Sequence, residues 1–259
     1  MLYLFRYAVS RVIKFFANLI KGLCYVFHFL FPKKRFKLPK SSNPLFFCKY
    51  EKIIPNIIWQ TNYTNKVTLP VYINYLFNRI MSPTYYYNFM TTDEISEFIE
   101  QNYSPNIFDL YSKLQIGASQ ADFWRILILQ KCGGVYMDID SHLVWPLELI
   151  IKMGYSELYL MKENLEMTNY FLASKKNNNN LAKIIERICK NILENKIKSV
   201  FVLTGPVVMN DLLGNQNVEK ANYRITCHAG NFTNKYFQYI DKTGGEWTIA
   251  QKKIDIIKK

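Results

Sequence analysis

Residues 1–31 of this 259-residue chain follow a helical rhythm of polar and apolar positions. At ~100° per residue, Arg6, Ser10, Arg11, Lys14, Asn18 and Lys21 fall within an arc of about 140°, and the remainder is mostly Leu, Tyr, Phe, Val and Ile. The short apolar run at residues 53–60, IIPNIIWQ, reads as a buried first strand. Trp59 near its end is either a core residue or a platform for stacking a base or sugar ring. Thr91-Thr92-Asp93-Glu94 has capping-box spacing and predicts a helix through Glu100.

The stretch 118–146 carries the densest pattern. Ser119 is placed to cap a helix that runs to Lys131 and is apolar nearly all round, through Phe123, Trp124, Ile126, Leu127, Ile128 and Leu129. Gly133-Gly134 ends it, and residues 135–140 read as a strand. A helix, a two-glycine turn and a strand predict an α/β fold with a central sheet. Strand alternation would send Asp138 and Asp140 to one face and Ile139 into the opposite layer. Adjacent carboxylates repel and are costly to bury without a cation, and a hard divalent ion such as Mg²⁺ or Mn²⁺ suits them. The alternative is a surface turn with two solvated acids. Asp122 and Arg125 share a helix face, and either pair with each other or look into a polar cleft.

Composition bounds these readings. The chain is 49% hydrophobic and 16% aromatic, enough for one large domain or two small ones. The net charge of +13 is concentrated: residues 1–40 hold nine Lys and Arg and no acid, leaving +4 for the rest. A nucleic-acid-binding body needs a basic face on the fold itself, so nucleic acid is not an expected partner. A cationic stripe opposite an apolar face suits a helix lying in an anionic membrane interface, and it runs into the basic Lys33-Lys34-Arg35-Phe36-Lys37. No small-residue cleavage site marks a signal peptide. The longest uncharged stretch, Gly22 to Pro32, is short for a spanning anchor, and packing on the protein's own core is the remaining alternative. The expected organisation is a membrane-associating segment at 1–40, a linker at 41–52 and a catalytic domain at 53–259. Five cysteines without CxxC spacing and three scattered histidines (His28, His142, His228) read as buried thiols and structural imidazoles.

The ordered block ADFWRILILQKCGGVYMDID resembles the DXD-type sugar transferases, the family-32 glycosyltransferases that include capsule-synthesis enzymes and outer-chain mannosyltransferases. IPNIIWQ is similar to that family's first strand, and Thr204-Gly205-Pro206 to a further element. The resemblance implies a GT-A-like nucleotide-diphospho-sugar transferase fold, a central mixed sheet flanked by helices, and transfer with retention of configuration. It implies that Asp138 contacts the ribose or sugar and the metal, that Asp140 ligates Mn²⁺ or Mg²⁺, and that Asp122 and Arg125 hold the donor sugar. Trp59, Tyr136 and Asn169 fall with the donor-binding residues. Gly245-Glu246-Trp247 is similar to a Gly-Ser-Trp ending, where Trp247 would reach the diphosphate and Glu246 would complete the metal shell. The sequence departs from the family at Trp59 and Asp241, where His is common. The implied partners are a nucleotide-sugar donor and a glycan or lipid-linked glycan acceptor of capsule, O-antigen or lipooligosaccharide type, at the cytoplasmic face of a bacterial inner membrane. The rival classes are an aspartyl-type Mg²⁺-dependent phosphohydrolase and a non-catalytic membrane-associated binding protein.

Overall fold

A computed structural model describes residues 1–47, 52–164 and 166–258. Cys48 and positions 48–51 of the predicted linker lie outside the described residues. A seven-stranded mixed sheet forms the centre, in the order Lys220–Asn222, Glu157–Met161, Met167–Ser174, Gly134–Met137, Ile57–Asn62, Tyr86–Thr91 and Ser41–Ser42. Ile57–Asn62 runs parallel to both of its neighbours, whereas Met167–Ser174 is antiparallel to both of its own.

Alternation along the strands builds two cores. Val135 and Met137 enter one hydrophobic cluster with Ile58, Tyr75 and Phe171. Tyr136 enters the other with Trp59, Trp124 and Leu172. Helix Gly117–Cys132 belongs to the second cluster and is buried continuously from Asp122 to Leu129, as its all-round apolarity predicts. Thr91 and Glu94 form the expected reciprocal capping box at the start of helix Thr92–Asn102.

The two-glycine turn follows from backbone geometry. Gly133 has φ +68° and Gly134 φ +110°, a region that costs a residue with a Cβ. A Cβ on Gly134 would stand 2.6 Å from the Ile57 carbonyl oxygen and 3.0 Å from the Trp59 indole nitrogen. The absence of a side chain lets this strand start flush against its parallel neighbour.

The structure corrects several expected boundaries. The first strand begins at Ile57 rather than Ile53, because Pro55 has no N–H to give a ladder. Ser119 lies inside its helix, whose cap is Ile116, and donates to the Ile116 carbonyl at 2.7 Å. The strand expected at 135–140 ends at Met137. Asp138-Ile139-Asp140 is a turn closed by Ser141 N–H donating to the Asp138 carbonyl at 2.9 Å. Ser141–Leu143 then pairs with Cys227–Ala229 in a separate ribbon. The predicted linker is partly built into the fold, since Ser41–Ser42 is the edge strand beside Tyr86–Thr91.

The N-terminal helix, Leu2–Leu30, lies along the body. It buries a seam of Ser10, Ala17, Cys24 and His28 and turns Val12, Phe15, Leu19, Leu23 and Val26 outward. Ser10 Oγ meets His228 Nε2 at 2.9 Å, Lys21 donates to the Gly230 carbonyl at 3.2 Å, and the Leu69 N–H donates to His28 Nε2 at 3.0 Å. Part of the polar arc read from the sequence therefore serves the body rather than solvent. At 29 residues the helix is also long and apolar enough to cross a membrane by length and composition, which the count of uncharged residues had underestimated.

Replacing Gly134 with Ala is expected to lower the unfolding free energy by about 2–3 kcal/mol in urea titration, through strained φ and the clash with Ile57. A loss under about 0.5 kcal/mol would show that the turn relaxes freely.

Candidate active site

A cavity of about 480 Å³ opens at the carboxyl ends of the parallel strands, lined there by Thr61, Asn62, Tyr136 and Asp138. This is the edge of an α/β sheet where ligands commonly bind. Helix Gly117–Cys132 contributes Asp122 and Arg125, strand Met167–Ser174 contributes Asn169, and the C-terminal stretch contributes Gln238, Lys242, Glu246 and Trp247.

Arg125 is the hub of the polar wall. One helical turn separates it from Asp122, and their side chains pair at 2.9 Å. The same guanidinium meets Asp138 at 3.3 Å, donates to the Asn169 carbonyl, and lies over the Tyr136 ring with its carbon 4.6 Å from the centroid. Tyr136 donates its hydroxyl to Asp138 Oδ1 at 2.7 Å. Asp122 accepts from Asn169 Nδ2 at 2.8 Å and from Thr204 Oγ1 at 3.3 Å. The two alternatives left by the sequence, internal ion pair or cleft-facing pair, are thus both realised. Burial pushes the Asp122 carboxyl up to about 6, with Arg125 opposing the shift and Asp138 adding to it.

Asp138 and Asp140 converge by a different route from the one alternation predicted. Their turn is pinned from outside: Asn74 donates to the Ile139 and Ser141 carbonyls, both at 2.9 Å, and Gln60 donates to the Asp138 carbonyl at 3.1 Å. Gly230 N–H holds the Asp140 carbonyl at 3.0 Å. Both side chains line the cavity; Ile139 between them also reaches it and packs against the cluster that holds Val135 and Met137. Burial, and then the charge of Asp138, holds the Asp140 carboxyl above the usual carboxylate range. Two half-buried carboxylates lining one cavity are the kind of oxygen donors that a small divalent ion takes.

Other expected site residues are placed less uniformly. Tyr136, Asn169 and Trp247 line the cavity. Trp59 does not: it is 7% exposed in the hydrophobic core, and its indole N–H donates to the Gly133 carbonyl at 2.9 Å. Its ring packs instead in the cluster with Trp124 and Tyr136. Glu246 lines the cavity, but its carboxylate is engaged by the Lys235 ammonium and the Thr248 hydroxyl. Among the described residues no three His, Cys, Asp or Glu side chains are grouped to hold a metal. The sequence expectation puts Glu246 in a metal shell; the structure shows it in an ion pair with Lys235 on the rim. Asp241 is paired with Arg35 of the N-terminal segment. Lys162, Lys235, Gln238 and Lys242 reach the cavity without any sequence signal, being isolated polar residues in a Lys-rich chain.

Removing the hub should leave buried carboxylates unpaired. Arg125→Met is expected to cost about 3–5 kcal/mol of stability at pH 7.5. The deficit should shrink as the pH falls to 5.5. Loss of Arg125 removes the charge that opposes the burial-driven rise, so the Asp122 pKa, about 6 with Arg125 present, climbs further in the variant, and protonation recovers more stability there than in the wild type. Denaturant unfolding at the two pH values checks both statements, and a deficit independent of pH would remove Asp122 as its source.

Comparison with known proteins agrees with this geometry. Residues 70–159 match the family described as glycosyltransferase sugar-binding region containing DXD motif. The chain is 28% identical to an uncharacterized glycosyltransferase of Acanthamoeba polyphaga mimivirus, over 61% of this chain and 64% of that one. It is 31% identical to a mannosyl phosphorylinositol ceramide synthase of Saccharomyces cerevisiae over 44% of this chain and 30% of that protein. It is also 31% identical to the initiation-specific alpha-1,6-mannosyltransferase of Candida albicans, over 51% and 37%. The chain thus spans less than two thirds of the length of these curated relatives. The solved PaToxG glycosyltransferase shares the fold with a TM-score of 0.53 at 18% identity, over 83% of this chain and 80% of that one. Residues 70–159, which hold Asp122, Arg125, Asp138 and Asp140, are thus similar to the DXD-containing glycosyltransferase sugar-binding region, and the fold around them is shared with a solved glycosyltransferase.

Proposed function

We propose that this chain is a retaining glycosyltransferase that moves a sugar from a nucleoside-diphosphate sugar to a glycan or lipid-linked glycan acceptor, with Mn²⁺ or Mg²⁺ held by Asp138 and Asp140. The observation that carries this reading is the presence of those two carboxylates in the cavity lining with the Asp122–Arg125–Asn169 wall beside them.

The bound ion would supply positive charge against the leaving diphosphate. The protein's own residues account for the rest. Lys162 and Lys242 bring further cations to the cavity, and Trp247 brings an aromatic surface with an indole N–H. Asp122 and the Asn169 amide, fixed by Arg125 and Thr204, are oriented to exchange hydrogen bonds with sugar hydroxyls. That rigidity matters because a misplacement of ~1 Å can cost on the order of 100-fold in rate. In the transfer, the acceptor hydroxyl bonds to the anomeric carbon as the bond from that carbon to the diphosphate oxygen breaks. The hydroxyl proton passes to the departing phosphate, so no protein side chain is assigned as base or nucleophile.

The N-terminal helix supports a membrane-peripheral setting. Its outward face is aliphatic and aromatic, and Arg11 and Lys14 flank that face exposed, the arrangement that suits an anionic bilayer interface.

The reaction is tested by nucleotide release from UDP-, GDP-, CMP- and dTDP-sugars with and without Mn²⁺ or Mg²⁺. Metal-dependent release from one donor is expected, reduced at least about 100-fold in Asp140→Ala. Silence across the panel, with no calorimetric binding of any nucleotide, would overturn the transferase reading in favour of a non-catalytic binding protein.

A further inference from the structure

A second pocket, of about 170 Å³, lies between the N-terminal helix and the Tyr223–His228 stretch of the body. Its charged lining is wholly cationic: Arg11 and Lys14 come from the helix and Arg224 from the body. Arg11 and Lys14 are three residues apart and share a helix face. Among the described residues neither forms an ion pair. Arg224 is held in place, with its guanidinium paired to Glu163, donating to the Tyr223 hydroxyl at 3.3 Å, and 5.8 Å from the centroid of the Tyr7 ring. The back wall is neutral. Ser10 Oγ and His228 Nε2 are 2.9 Å apart, and burial lowers the His228 pKa, a shift to which the charges of Lys14, Arg11 and Arg224 add.

The lining thus brings two helix cations without an ion pair among the described residues to a third cation on the body that Glu163 pairs, with hydroxyl groups beside them and no carboxylate in the lining, a set of groups suited to an anion. Glu163 offsets Arg224, whereas Arg11 and Lys14 have no ion-pair partner among the described residues, so an anion bridging helix and body would supply their missing counter-charge. Guanidinium groups present paired donors to phosphate oxygens, and an ammonium adds a point charge. The position narrows the ligand further. Arg11 and Lys14 stand between the seam that Ser10 buries on the body and the exposed face of Val12, Phe15 and Leu19. When that face meets acyl chains, these side chains sit at headgroup depth.

We propose that this pocket binds one phosphoryl group, bridging the N-terminal helix to the body at Arg224. Such a group is offered by the headgroup of an anionic phospholipid and by free phosphate. For the phospholipid, the inference rests on the membrane-peripheral setting proposed above.

The full-length protein is titrated calorimetrically with inorganic phosphate. In parallel it is floated with vesicles of phosphatidylcholine alone or containing one fifth phosphatidylglycerol. The same is done for Arg11→Gln/Lys14→Gln and for Lys33→Gln/Lys34→Gln, which removes equal charge from the exposed basic run outside the pocket. Saturable one-to-one phosphate binding by the wild type, lost only in the pocket variant, supports the site with free phosphate as a ligand. A preference for the anionic vesicles that falls at least about tenfold further in the pocket variant than in the control identifies the lipid headgroup as the source. Equal losses in the two variants would mean diffuse attraction and would overturn the site, as would saturable binding of neither probe. Equal binding to both vesicle types without phosphate binding would remove the pocket while leaving the membrane-peripheral reading intact.

Discussion

One buried guanidinium holds the active-site wall together. Arg125 neutralises Asp122, reaches Asp138, caps the Asn169 carbonyl and stacks on Tyr136, so it joins the helix, the central strand, the DXD turn and an antiparallel strand in a single network. A carboxylate as buried as Asp122 is costly unless paired and hydrogen-bonded. Here all the compensating partners are cavity residues or their immediate supports. The cost of burying charge is met by groups that also shape the site, which explains why so polar a cluster sits in so apolar a helix.

The second constraint is backbone rather than charge. Gly133 and Gly134 let a buried helix reverse directly into a central strand without a side chain between that strand and Ile57. The strand then delivers the DXD turn to the carboxyl edge of the sheet. There Asn74, Gln60 and Gly230 fix its carbonyls so that both carboxylates face the cavity. Three segments far apart in sequence are thereby tied to one turn. Gly230 also accepts a hydrogen bond from Lys21 of the N-terminal helix through its own carbonyl. The helix is thus one residue removed from the backbone that positions Asp140, and Arg35 clasps Asp241 beside the rim residues Gln238 and Lys242. The N-terminal segment is structurally part of the body it had been expected to tether.

Local chemistry was legible in the sequence. The capping box at Thr91, the all-round apolar helix, the two-glycine stop and the pairing of Asp122 with Arg125 follow from spacing and residue type, while the joining of that pair to Asp138 and Asp140 in one site came from the family resemblance. Those forces act over a few residues and leave a periodic signature. The order of the block also carried the resemblance to DXD glycosyltransferases.

Tertiary structure decided what spacing could not. The pleat predicts that residues two apart share a face, yet Asp138 and Asp140 meet through a turn, because side chains from other elements capture its carbonyls. Trp59 went inward because the Gly133 carbonyl offered its indole a partner 74 positions away. Glu246 was drawn to Lys235 rather than to the aspartates, and the helix at 2–30 laid its polar seam on the body because Ser10, Lys21 and His28 found partners there. In each case a polar group was satisfied by a partner brought near only by folding. Sequence alone therefore determined which groups needed partners and which segments had to be buried; the fold determined which partners they found.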